Sequence, residues 1–163
     1  MNTFVTGMSN GGEMCYLLAC KHPEIFNATA PVAGMMLQPF FDDCHSIDPI
    51  PVFAVFGTND DVTNFNGDLN NNDGWGAYPG IPFTINYWAE AIQYTSVQID
   101  TLPDINKKDS SIVVSEKYLN AETETEVLFY KIINGGHDWP GSWGNMDINT
   151  SEEIWTFFEK YKQ

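Results

Sequence analysis

Apolar and polar positions along the chain change rhythm every ten to twenty residues, and the changes divide it into elements. Residues 3–6, Thr-Phe-Val-Thr, read as the tail of a strand that runs into Gly7-Met8-Ser9-Asn10-Gly11-Gly12. A helix over about 12–21 follows, with Met14, Leu17 and Leu18 at helical spacing as its buried face. His22-Pro23 ends it, because the residue before a proline disfavours helix. Residues 28–32, Ala-Thr-Ala-Pro-Val, form a second short strand closed by Gly34. The run 51–56 is apolar throughout and stops at Gly57; continuity rather than alternation predicts a strand buried on both faces. Residues 59–80, crowded with Asn, Asp and Gly, read as a long loop, and 82–91 as a helix with proline in its first turn and Trp88 inward. Two paired strands are predicted at 111–118 and 126–133, around the acidic turn 120–124. Thr150-Ser151-Glu152-Glu153 fits a capping box, after which Ile154, Trp155, Phe157, Phe158 and Tyr161 supply a buried face. Alternating strands and helices around a buried strand imply an α/β domain with a mainly parallel sheet flanked by helices. No internal repeat or linker divides residues 1–163.

Composition agrees with a folded domain: 163 residues, 43% hydrophobic and 18% charged, enough to bury a core. The 7 Lys+Arg against 22 Asp+Glu give a net charge of −15. Nucleic acid and anionic membrane surfaces would repel such a chain, so neither is an expected partner; the acidic surface reads as solubilising. No apolar run reaches transmembrane length, and the first residues lack the basic and apolar regions of a signal peptide. Cys15, Cys20 and Cys44 are too few and too irregular for a zinc cluster. One disulfide with a spare thiol, pairing Cys20 with Cys44, and three buried thiols are both compatible with the spacing.

Gly7-Met8-Ser9-Asn10-Gly11 matches G-x-S-x-G in the context its chemistry needs, with a strand before it and a helix after. Small flanking residues let the backbone turn sharply, which exposes the Ser9 hydroxyl and points the Asn10 N–H at a developing oxyanion. A serine hydroxyl needs a base. His22, before a proline, and His45, after Cys44, read as surface residues. His137 follows a strand, inside Gly135-Gly136-His137-Asp138-Trp139-Pro140-Gly141, and is the expected base. Asp60, with Asp61 beside it, lies just beyond the buried strand, where α/β sheets carry functional loops. Either could orient the imidazole, and the order Ser, Asp, His is that of α/β-hydrolases.

With Val5-Thr6 before the elbow, Gly11-Gly12 within it, Ala30-Pro31-Val32-Ala33-Gly34, Gly57-Thr58-Asn59-Asp60, the His137 segment and the closing Ser151-Glu152-Glu153-Ile154-Trp155-Thr156-Phe157-Phe158, the chain resembles the polyhydroxybutyrate depolymerase and feruloyl esterase family. The resemblance spans essentially the whole chain. It implies an α/β-hydrolase fold, Asp60 rather than Asp61 as the acid, secretion, no cofactor and no metal. It also implies that this is the C-terminal part of such a domain. The family's N-terminal strands, with a His-Gly turn supplying a second oxyanion donor, and its export signal are expected upstream. A chain without that donor is expected to be feeble, since one oxyanion donor is worth about 2.7–4 kcal/mol, and its exposed sheet edge to favour aggregation. Two departures stand out: Phe56 occupies a position where the family usually has histidine, and Phe65 one where tyrosine is common.

Phe65, Trp75, Tyr78, Trp139 and Trp143 fall in loops around the expected site and read as an aromatic wall for a feruloyl group or polymer segment. Residues 68–74 resemble a calcium loop, but the glycine is one position late and Pro79 stands where the closing glutamate belongs. Asp42, Asp43, Cys44 and His45 read as a solvated loop rather than ligands. The implied reaction is hydrolysis of a carboxylic ester, polyhydroxyalkanoate, feruloyl or acetyl-polysaccharide, through an acyl-enzyme. The alternatives are a prolyl-oligopeptidase-like serine peptidase, which uses the same triad order, and an inactive polysaccharide-binding remnant.

Overall fold

A computed structural model describes residues 2–44 and 49–163. In chain order the elements are β1 (Phe4–Met8), α1 (Asn10–Lys21), β2 (Ala28–Val32), α2 (Gln38–Asp43), β3 (Val52–Gly57), β4 (Gly67–Asp68), β5 (Tyr78–Pro79), α3 (Ile81–Ala91), β6 (Ser96–Thr101), β7 (Ile112–Asn120), β8 (Thr125–Ile133) and α4 (Thr150–Glu159). Six strands form one sheet in the order β1-β2-β3-β8-β7-β6, and β4 and β5 make a small separate ribbon. Strands β1, β2, β3 and β8 run parallel, while β7 and β6 add an antiparallel hairpin at one side. The described residues thus form an α/β unit with a mostly parallel sheet, compatible with an α/β-hydrolase-like fold.

The apolar run of β3 is buried on both faces because side chains alternate across a strand. Val52, Ala54 and Phe56 enter a core with Tyr16, Ile81, Ile85, Trp88 and Phe129. Phe53 and Val55 enter the opposite core, with Tyr130, Ile132, Ile154, Phe157 and Phe158. Helix α3 therefore covers one side and α4 the other. Phe56 and Phe65 stack at a tilt, centroids 6.1 Å apart, so both departures from the family pattern are packing residues of the first core.

Several local expectations are corrected. Met14 is 49% exposed, and the buried face of α1 is Gly12, Cys15, Tyr16, Ala19 and Cys20. The cause is close contact with the turn after β2: a Cβ on Gly12 would lie 2.9 Å from the Gly34 Cα, and one on Gly34 would lie 2.6 Å from the Gly12 carbonyl carbon. The helix settles on its small residues, which turns Met14 outward and leaves Leu17 and Leu18 half-buried. The cap of α4 is Asn149, whose side chain accepts from the Glu152 N–H at 3.4 Å, and Thr150 is the first helical residue. Trp155 is half exposed instead of joining the core. The short helix α2, the two-residue strands β4 and β5 inside the expected loop, and the strand β6 are unanticipated; β6 is exposed at every position and so carries no alternating burial signal.

Cys20 and Cys44 are joined in a disulfide, Cα–Cα 5.1 Å, which ties the end of α1 to the end of α2, and Cys15 remains a free, buried thiol. Burial pushes that thiol up to about 11. Among the described residues, no helix is long and apolar enough to cross a membrane.

Candidate active site

Ser9 sits between β1 and α1 with φ 56° and ψ −122°, a left-handed backbone unusual for a residue with a side chain. The surrounding contacts hold it there. Its N–H donates to the Val32 carbonyl at 2.9 Å, and its carbonyl accepts the Glu13 N–H at 3.0 Å. A Cβ on Gly7 would stand 2.7 Å from the Gly11 backbone, so the turn closes only around glycine at position 7. Position 11 differs: a Cβ there meets nothing within 4 Å, so what the turn uses is the Gly11 backbone lying beneath Gly7. The first helical bond is the one from Glu13 N–H, and no side chain caps α1. The N–H groups of Asn10, Gly11 and Gly12 therefore precede the helical ladder at the positive end of the helix dipole. The Ser9 hydroxyl makes no hydrogen bond to any described residue, His137 included.

His137 and Asp60 are brought together by the two parallel strands β3 and β8. Gly57 ends β3 where a Cβ would lie 2.4 Å from the carbonyl oxygens of both Gly135 and Gly136, so the two loops touch backbone to backbone. The contact is stitched by Thr58 N–H to Ile132 O at 2.9 Å, Asn59 N–H to Gly135 O at 2.8 Å and Asn134 N–H to Thr58 Oγ1 at 2.9 Å. Beyond this seam, His137 Nδ1 and Asp60 Oδ2 are hydrogen-bonded at 2.8 Å. The other carboxylate oxygen accepts the N–H groups of Val62 at 2.9 Å and Thr63 at 2.7 Å. The Asp60 side chain is fully buried and that of His137 is partly open. Asp61 is exposed. Acceptance at Oδ2 fixes Nδ1 as the protonated nitrogen and leaves Nε2 as an acceptor. Asp138 folds back to accept the Gly136 N–H at 3.0 Å, which shapes the loop that presents His137.

Ser9 opens into a cavity of about 360 Å³ lined by Ser9, Asn10, Glu13, Met35, Val62, Thr63 and Trp75. Val62 and Thr63 belong to the turn that holds Asp60, so the elbow and the acid-bearing loop are walls of one cavity. Of the five aromatic residues expected to line the site, Trp75 is a wall of the cavity at Ser9. Phe65 packs against the first core. Tyr78 is wholly buried, and its hydroxyl accepts the Asn64 N–H at 2.8 Å, bracing the loop from inside. Trp139 lines a different hollow, against Phe4 and α4, and its Nε1 donates to Ser151 Oγ at 3.0 Å. Trp143 is half exposed, follows Trp139 in the same turn and is not among the residues lining the Ser9 cavity. Glu13 and Met35 were not anticipated; a carboxylate one turn into a helix after the elbow is the signal that would have found the first.

The calcium-like segment spends its first carboxylate on itself: Asp68 accepts from Asn72 Nδ2 and from the Asp73 N–H, each at 2.9 Å. His22 is exposed beside Glu24. The solvated loop expected over residues 42–45 is corrected in part: Asp42 and Asp43 form the last residues of α2, Cys44 is held in the disulfide, and His45 lies outside the described residues.

No family model matches the chain. It is 25% identical over 148 residues to NocK of Nocardia uniformis subsp. tsuyamanensis, a protein named as an esterase, covering 86% of this chain and 43% of NocK. It is 41% identical over 66 residues to a protein named as feruloyl esterase C of Aspergillus clavatus, covering 40% of this chain and 23% of that protein. The chain thus spans less than half the length of these relatives, and its similarity is to proteins of the esterase class.

Proposed function

We propose that the protein hydrolyses carboxylic esters through an acyl-enzyme formed on Ser9. The observation that carries this reading is the 2.8 Å bond between His137 Nδ1 and the buried Asp60, on loops level with a strained serine elbow at the same end of the parallel strands. In this scheme His137 Nε2 takes the Ser9 proton as Oγ attacks the ester carbonyl, and Asp60 holds the imidazole and balances its transient charge. The Asn10 N–H donates to the tetrahedral oxyanion. Collapse returns the proton to the departing alcohol, and water, activated by the same histidine, releases the acid. Serine and histidine in catalytic sites commonly stand apart without substrate and tighten in the Michaelis complex, which accommodates the unbonded Ser9 hydroxyl.

The finer assignment, a feruloyl, acetyl-polysaccharide or polyhydroxyalkanoate ester cleaved outside the cell, is supported by the motif resemblance and by the name of the Aspergillus relative. The Cys20–Cys44 disulfide fits an oxidising compartment. A fluorophosphonate probe tests the mechanism. The full-length protein is expected to be labelled, and Ser9→Ala to lose the label; a variant that stays labelled removes Ser9 from the scheme.

A further inference from the structure

Among the described residues that line the cavity at Ser9, one carries a carboxylate and none an ammonium group. Glu13 is half-buried in its wall, and no described residue bonds or pairs with its carboxylate. Burial alone pushes its carboxyl up, with no cation to hold it down. All seven basic residues of the chain are lysines. Lys117 and Lys160 serve Glu126, Lys131 serves Glu116 and Lys162 serves Glu159, and no lysine lines the cavity. The remaining walls, Met35, Val62, Thr63 and the exposed face of Trp75, are uncharged. A carboxylate in this position differs from an ordinary helix-start glutamate, which meets water on all sides: here any molecule bound against Ser9 shares the cavity with it.

Resting on the ester-hydrolase reading, we propose that Glu13 is a specificity-determining residue that makes the site discriminate by charge, accepting neutral or hydroxyl-bearing acyl groups and rejecting those that carry a carboxylate. The same charge acts on the product. Hydrolysis adds water across the ester, giving an alcohol and an acid; the acid loses its proton at neutral pH and becomes an anion beside Glu13. A neutral substrate is thus admitted and its anionic product expelled, which favours turnover over product inhibition. Two like charges sharing one half-buried cavity interact enough to change binding on the order of tenfold.

Kinetics on the full-length protein with para-nitrophenyl butyrate and para-nitrophenyl hemisuccinate, of equal length and differing by one carboxylate, test this. The wild type should favour the butyrate on the order of tenfold in kcat/KM. Glu13→Gln should bring that ratio within about threefold and tighten inhibition by butyrate several-fold, while Glu13→Asp, which keeps the charge, should preserve the ratio. A ratio unchanged in Glu13→Gln, or lost equally in Glu13→Asp, overturns the charge role while leaving ester hydrolysis standing. If neither ester is cleaved and Ser9 takes no fluorophosphonate, the hydrolase reading itself falls and this one with it.

Discussion

Two aspartates lie side by side at 60 and 61, and their surroundings assign them opposite fates. Asp60 accepts three hydrogen bonds, from His137 Nδ1 and from the N–H groups of Val62 and Thr63, while Asp61 faces solvent. On the proposed mechanism, Asp60→Asn leaves the fold in place but presents an amide to the imidazole, which disturbs the tautomer. Its kcat on an activated ester is expected to fall by on the order of 10³–10⁴. Asp61→Asn, a surface change, should stay within about twofold. Equal losses at the two positions would show that Asp60 does not orient the base.

At the scale of elements, α1 shows how a stripe of apolar residues misleads when small residues do the packing. The spacing of Met14, Leu17 and Leu18 fits a helix face, yet the contact between Gly12 and Gly34 brings the chain close enough that Cys15, Tyr16 and Ala19 meet the sheet. Tyr16 stacks with Trp88 of α3 at 6.1 Å between centroids, and both are buried. Met14→Ala is therefore expected to change unfolding free energy by under about 0.5 kcal/mol. Tyr16→Ala, which empties a core site, should cost about 3–5 kcal/mol. Urea titrations would reverse this ranking if the Met14 stripe were the packed one. The buried strand β3 was legible because its burial matches its continuous apolar run; β6 was not, since all its residues are exposed and its place comes from ladder bonds to β7.

Across the whole molecule, the excess of acid is partly anchored by a few lysines. Glu126 in β8 is buried between Lys117 of β7, at 2.9 Å, and Lys160 at the end of α4, at 2.6 Å, joining the hairpin to the last helix. Burial pushes its carboxyl upward, but the hydrogen bonds and charges of Lys160 and Lys117 outweigh this and hold it below the usual range. A carboxyl lowered in the folded state contributes stability that is complete above its unfolded value, near 4.5, and is lost as pH falls through the lower folded value. Thermal unfolding of the wild type should therefore weaken below about pH 4.5, and Glu126→Gln should flatten that slope while lowering stability at neutral pH. An identical acid slope in the variant would place the acid sensitivity elsewhere.

Features settled over a few neighbouring residues were readable from the amino-acid order: the strand–turn–helix around Ser9, the two-sided burial of β3, the loop status of the Asn-rich segment and the α/β alternation. Each depends on backbone conformations and side-chain periods that neighbours impose on one another. Tertiary structure decided the rest: which aspartate meets His137 across 77 residues, which face of α1 turns inward, that Tyr78 braces a loop instead of lining a cavity, and that Glu13 stands beside Ser9. Those outcomes are set by how closely two backbones can approach, as at Gly57 against Gly135 and at Gly12 against Gly34, and such distances arise only when segments far apart in the chain pack together.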